Sequence, residues 1–340
     1  MTATAEAGIE AMPEPKPRPG WHRIFWVILA LLVIVPPLVA EPLELNRLAR
    51  LVVLVLAVLG VNLLTGYTGL ISLGHGVFVG VGAFTMANLI DTGMSLYLAG
   101  LLATAFTGAV GLVLGLPALR VRGLYLALIT FGIALAFPPF ARRLGTWTGG
   151  VTGRTVVNDA FAPPSFLGLD DQVHVWRYGC CLVVVALWFL LARNLINSRV
   201  GRAMRTIRDD ERAAATFGIN VTAVKAGVIA ISSAAAGTAG VLQVLLNPYV
   251  SHGDFSAFLS LRLYAAAVLG GLGTLIGAVF GVLALIIVPF INGVIGLIDN
   301  EAVAFGAGLV IVTFIAPTGL AGLLDRRTGK REETGRVSPS

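Results

Sequence analysis

The sequence predicts an all-α fold: a polytopic helical membrane protein of about ten membrane segments, with both ends on the cytoplasmic side. Three observations carry this expectation. Charged residues make up only 12% of the 340 and hydrophobic ones 56%, with a mean hydropathy of +0.87, whereas a soluble domain carries roughly 25% charge to solvate its surface. Apolar runs recur at lengths near the ~20 residues that a helix needs to cross the hydrocarbon core. Many of the 41 glycines fall inside those runs, where small residues let membrane helices approach closely. A β-barrel would instead show short segments of alternating polarity.

In chain order the expected segments are 24–40, 48–64, 70–90, 96–116, 124–141, 178–192, 226–246, 256–271, 275–297 and 302–317. They make up a membrane domain over 24–320, flanked by tails 1–23 and 321–340 that are expected to be disordered in the cytoplasm. Residues 24–40 follow a Pro-rich stretch carrying three glutamates, unlike the basic start of a cleaved signal, so a retained first helix is expected. Segments 24–40 and 256–271 are short for a full crossing, and a partly re-entrant course would account for either. The stretch 142–177 holds Gly149, Gly150, Gly153, Pro163, Pro164 and Gly168, turn formers that favour an ordered extracytoplasmic cap over a helix. Cys180 and Cys181 are adjacent; a bridge between them would be strained, and two small apolar residues are the simpler reading.

Orientation follows from Lys and Arg. With the N-terminus inside and each segment crossing once, the cytoplasmic side receives 17 of the 24 basic residues, including Arg120, Arg122 and seven in the loop 193–225. Basic loops stay in the cytoplasm. The net charge of +6 is therefore a topology signal, and no nucleic-acid partner is implied.

Loop 193–225 is the most polar stretch inside the chain. From 201 to 216 the side chains of Ala203, Met204, Ile207, Ala214 and Ala215 can share one side of a single helix. Asp209, Asp210 and Glu211 neighbour Arg205, Arg208 and Arg212, and the pairs 205/209, 208/211 and 209/212 have the three- and four-residue spacing that supports helix in water. Gly218 stands where such a helix would end. A plain connector needs only about six residues, so a docking surface is the better account of its length.

The candidate solute pathway is 62–84. Asn62, Thr65, Ser72 and His75 put polar groups beside apolar segments interrupted by Gly66, Gly69, Gly74 and Gly76. A helix break at membrane depth is tolerated only where the freed backbone meets protein or a water-filled cavity, and a half-helix N-terminus there could face a carboxylate. Glycines serving close packing and a histidine satisfied within an interface are the simpler alternatives. Thr130 is a further pathway candidate, although its hydroxyl can also bond the backbone one turn back. GLISL at 69–73 returns loosely as GLGTL at 271–275, as an internal inverted repeat would produce.

No Gly-x-x-x-x-Gly-Lys-Ser/Thr run occurs, so the chain has no P-loop for ATP, and its four scattered histidines give no metal-site spacing. Ion-driven carriers usually place ionisable groups in their spans, and here Arg262 and Asp91 are almost alone.

Four segments together carry a resemblance. GRAMRTIRDDERAAATFGINVTAVK (201–225), NLLTGYTGLISLGHGVFVGVGAF (62–84), RGLYLALITFGIALAF (122–137) and LYAAAVLGGLGTLIGAVFG (263–281) resemble, in order, the coupling loop, early helices, middle helix and late helix pair of branched-chain amino acid ABC transporter permeases, of the larger of two types. The resemblance implies a bacterial plasma (inner) membrane subunit working with a second permease of the same or different sequence, two ATP-binding cassette subunits and an extracytoplasmic solute-binding protein. ATP-Mg would sit on the partners and no cofactor on this chain. It implies ATPase coupling through Arg205, Arg208, Asp209, Asp210, Glu211, Ala213, Ala214 and Gly218. The usual Glu-Ala-Ala run is interrupted here by Arg212, and Arg154 follows TGGVTG where a small residue is usual, which leaves the solute open among branched-chain amino acids, other amino acids, amides and urea. An ion-driven carrier or channel stands as the alternative. A lipid-modifying enzyme would need convergent acids, bases or nucleophiles, and the only acidic cluster is Asp209–Glu211.

Overall fold

In the computed structural model the described residues are 41–116, 124–156, 161–163 and 172–295, with Gly306 and Gly319. They form eleven helices: α1 Pro42–Val61, α2 His75–Asp91, α3 Leu96–Gly115, α4 Leu124–Arg143, α5 Gly145–Thr148, α6 Val173–Asn197, α7 Arg199–Asp209, α8 Glu211–Thr216, α9 Val221–Leu246, α10 Ala257–Gly270 and α11 Leu275–Ile295. A single turn of π-helix, Asn62–Gly66, continues α1. The expected segments 24–40 and 302–317, both tails, and Arg120 and Arg122 lie outside the described residues.

Five helices are individually long and apolar enough to cross a bilayer, namely α1 with its π-turn, α3, α4, α6 and α9. The α10–α11 pair, bent by 117° at the break between them, makes a sixth if it is one broken span. The 70–90 segment differs most from expectation. Its helix starts only at His75, because 69–74 is irregular backbone around Gly69, which has a positive φ of 72°. In the other direction, α6 runs from 173 to 197 instead of 178 to 192. The Arg and Asn residues at its end interrupt a hydropathy window but not a helix.

Helix α9 is the hub. It is 26 residues long, and Asn220 Oδ1 caps it by accepting from the Ala223 N–H at 3.0 Å. Its middle reads SSAAAGTAG, and this small-residue face packs against α1, α2 and α3. Gly82 of α2 lies against the backbone of Gly237, and a Cβ at Gly82 would fall 2.7 Å from the Gly237 Cα. Gly240 meets α2 in the same way, and Gly60 of α1 packs on the Ser232 carbonyl. Lipid offers no hydrophobic drive for helix association, so close van der Waals packing of this kind holds the bundle together. By contrast α3, α4 and α6 turn Leu, Phe and Tyr side chains outward.

Contacts at helix ends sort into two sets. At one end β1 (Arg154–Thr155) pairs antiparallel with β2 (Tyr249–Val250), and Arg154 bridges Asp91 and donates to the Thr146 carbonyl. There Asn88 also donates to the Trp147 carbonyl at 2.6 Å. At the opposite end lie the π-turn, the start of α2, the α7–α8 loop, the start of α9 and the break after α10.

Candidate functional site

Two helix breaks meet at that second end. Asn62, wholly buried, donates from Nδ2 to the Thr274 carbonyl (2.7 Å) and accepts the Gly273 N–H on Oδ1 (2.8 Å). One amide side chain in the first break thus satisfies a donor and an acceptor of the second, which the hydrocarbon could not do. Gly66 carries no Cβ to obstruct this: one there would strike Asn62 Oδ1 and the Gly273 nitrogen. Thr65 Oγ1 donates to the Leu70 carbonyl at 3.0 Å, and Thr68 Oγ1 to that of Leu64. Thr130 of α4 donates to carbonyls one turn back and accepts the Leu73 N–H, all at 3.0 Å. GLISL and most of GLGTL are therefore irregular backbone, and Asn62 of the π-turn before GLISL is what bonds to GLGTL.

His75, 1% exposed, stands at the start of α2 inside a directed chain of hydrogen bonds. Ser232 Oγ commits its proton to the Gly60 carbonyl (2.9 Å), so it accepts from His75 Nε2–H at 2.6 Å. Nδ1 is then the acceptor, and Ser72 Oγ–H donates to it at 3.2 Å. Hydroxyl and imidazole inventories allow no other tautomer once the Gly60 bond is made. The N-terminus of α2 is engaged too, since the Gly76 N–H donates to Ser260 Oγ of α10 at 3.0 Å. Beside this cluster, Ser72, Gly74 and Thr130 line a narrow cavity with Phe78, Leu126 and Ile229, of about 30 Å³. That is room for a water molecule.

The polar loop departs from the expected single helix. It splits at Asp210, whose backbone is extended (φ −153°, ψ 114°). Asp210 Oδ1 accepts from the N–H groups of Arg212 (2.7 Å) and Ala213 (3.2 Å), starting α8 afresh. An aspartate competes for backbone donors in this way and is worth more at an N-cap than within a helix. Met204, Ile207 and Ala214 turn inward as the pattern required, while Ala215 is exposed and Ala203 only half-buried. Gly218 ends α8 with a φ of 76°, its N–H donating to the Ala215 carbonyl.

The arginines do not all face water. Arg205 donates to the carbonyls of Gly201 and Ile196 (3.3 and 3.2 Å) and so caps the end of α6. Arg208 reaches back to the Gly66 carbonyl. Asp209, Arg212 and Phe217 remain on the outer face, Phe217 at 77% exposure.

Several residues of this site were not singled out from the sequence. Ser232 reads as one more small residue in an Ala-rich run, and Gly273 and Thr274 as spacing. Lys225 is 3% exposed and pairs with Glu211 at 2.9 Å, fastening α8 to α9. Because Glu211 keeps some solvent, Lys225→Met is expected to cost only about 1 kcal/mol, whereas Glu211→Gln strands a buried ammonium and is expected to cost about 2 kcal/mol. Thermal unfolding of the two variants in detergent measures the difference. Arg262, expected within or beside a span, lies inside α10, half-buried over the Phe258 ring at 5.9 Å. Arg154, unusual in its motif, is the partner of Asp91.

Residues 44–316 match the family described as branched-chain amino acid transport system / permease component. The chain is 28% identical over 293 residues to the high-affinity branched-chain amino acid transport system permease protein LivM of Escherichia coli K12, covering 78% of this chain and 67% of that one. LivM of Salmonella typhimurium is 27% identical over 291 residues, with the same coverage. LivH of Escherichia coli K12, a permease protein of the same system, is 27% identical over 293 residues, covering 78% of this chain and 90% of its own length. No solved structure matches the chain. A membrane bundle whose helix breaks are tied to one polar loop, matched to this family over most of its length, is a permease component, and the chain belongs to the branched-chain amino acid transport permease family.

Proposed function

We propose that this permease subunit imports branched-chain amino acids, or related small polar solutes, across a bacterial inner membrane, driven by ATP-Mg hydrolysed on two partner ATP-binding cassette subunits. A second permease completes the channel, and an extracytoplasmic solute-binding protein delivers the cargo. The loop end of the bundle faces the cytoplasm, both termini lie there, and about ten segments cross or enter the bilayer. The lysine and arginine distribution supports that orientation. Printed names of the relatives support the substrate class.

The observation that carries the coupling part is the construction of loop 198–220. Its inner face is bonded to the bundle through Arg205, Arg208 and Glu211, and its outer face leaves Asp209, Arg212 and Phe217 in solvent. A large exposed apolar side chain ringed by charge is what a docking surface presents.

The test uses the outer face, because Asp210 and Glu211 also hold the loop's own shape. Asp209→Lys combined with Phe217→Ser is expected to lower copurification of ATPase subunits from native membranes at least tenfold, with the permease's thermal unfolding unchanged. Undiminished copurification and uptake of labelled leucine would remove the docking assignment. An ion-driven carrier finds less support, since most acidic and basic side chains of the described spans lie toward helix ends, with Arg50 and Arg262 further in.

A further inference from the structure

Arg208 was expected on the surface that meets the ATPase, and it stays solvent-exposed, yet its guanidinium also bonds back into the bundle. Nη1 donates to the Gly66 carbonyl, the last residue of the π-turn in the first break. The second break arrives at the same place: a Cβ on Gly273 would lie 2.9 Å from that same Nη1 and 3.1 Å from the Gly66 oxygen. On the other flank a Cβ on Gly69 would sit 3.3 Å from Arg208 Cγ. Gly69 and Gly273 have positive φ values of 72° and 81°. Each would be strained with any other residue, and a side chain at either position would crowd the arginine. The Arg208 side chain thus runs along Gly69 with its stem and meets Gly66 and Gly273 with its guanidinium, touching two breaks that are joined by Asn62.

Among the described residues, no other side chain of α7 is hydrogen-bonded to either break. Arg205 and Glu211 anchor the loop to the ends of α6 and α9, which are continuous helices. A displacement of α7 through those two contacts moves a span as a rigid rod. Displacement through Arg208 pulls on a π-turn and on irregular backbone, the parts of the bundle with alternative hydrogen-bond arrangements.

We propose that Arg208 is the transmission residue of this permease: it does not bind the ATPase but carries the movement of α7 to the paired breaks at 66–74 and 271–274, the first of which borders the Ser72–Thr130 cavity. This rests on the permease reading above. It assigns two jobs to one loop, docking to the outer face at Asp209 and Phe217 and force transfer to the inner face at Arg208.

The test purifies the complete transporter with its own ATPase subunits, reconstitutes it into vesicles with the solute-binding protein, and measures labelled leucine taken up per ATP hydrolysed. Arg208→Ala is expected to assemble with ATPase subunits in wild-type proportion while uptake per ATP falls at least tenfold. Arg208→Lys, which can still donate to the Gly66 carbonyl but fills the slot poorly, is expected to recover part of that loss. Uptake per ATP equal to wild type in Arg208→Ala overturns the proposal. Loss of the ATPase subunits from that variant overturns it too, because Arg208 would then be a docking residue. A wild-type complex showing no leucine-dependent hydrolysis would instead sink the importer reading itself, so the two failures are distinct.

Discussion

Replacing Gly240 with alanine is expected to lower stability by about 3 kcal/mol, the upper end for forcing a methyl group into a filled interior. The new Cβ would press on the Val79 carbonyl oxygen and lie 2.8 Å from the Ala83 nitrogen and 2.9 Å from the Val79 carbonyl carbon. All three are main-chain atoms of α2, so no rotamer change relieves the contact. Helices α2 and α9 have to separate, and the contacts that Gly82 and Gly237 make one turn away go with them. Gly227, in the same helix, is the control. A Cβ there meets nothing within 4 Å, so alanine is expected to be neutral or slightly stabilising through helix propensity, by about 0.5–1 kcal/mol. Thermal unfolding in a single detergent compares the pair. Equal melting temperatures would mean that the backbone contact between α2 and α9 is not what holds the bundle.

Asn62→Ala is expected to cost about 2–3 kcal/mol, combining the half-buried Gly273 N–H left without its partner, the loss of one of the two donors to the Thr274 carbonyl, and the cavity that remains. The affected groups belong to Gly273 and Thr274, so the damage should surface remotely, as faster hydrogen exchange at 271–277 while α1 stays protected. Asn62→Asp gives no rescue. It retains an acceptor for the Gly273 N–H but sets a carboxylate against the Thr274 carbonyl in a wholly buried position, where an unpaired charge is costly. A loss below about 0.5 kcal/mol for the alanine variant, with 271–277 as protected as in wild type, would show that the breaks hold together without Asn62.

The helices were readable from the sequence because lipid imposes length and apolarity on anything that crosses it. Residues 62–76 also announced themselves, since four glycines with Asn, Thr, Ser and His cannot make an ordinary apolar span. What the sequence could not show was the partner of that break. Asn62 and Gly273 are 211 residues apart, and no periodicity links a side-chain amide to a distant backbone N–H. The loose echo of GLISL in GLGTL was the one available signal, and it gives similarity without contact. The polar loop was misread for a different reason. Reading an acidic run among arginines as helix-surface charge treats Asp209, Asp210 and Glu211 as equivalent acids. The gain from capping outweighs a surface ion pair, and Asp210 breaks the helix it was expected to support. An amphipathic pattern also assigns all its arginines to water. The long aliphatic stem of Arg208 lets its head go where the wheel diagram puts none.

The central place of α9 bears on how the protein is made. Helices α1, α2 and α3 leave the ribosome well before residues 221–246 exist, so their glycine flats at Gly60, Gly82 and Gly111 first meet acyl chains instead of their eventual cover. Until α9 arrives, the early helices lack the surface that packs their glycine faces, as the parts of larger folds do before their last element is in place. Lesions in α9 are therefore expected to lower how much mature permease accumulates.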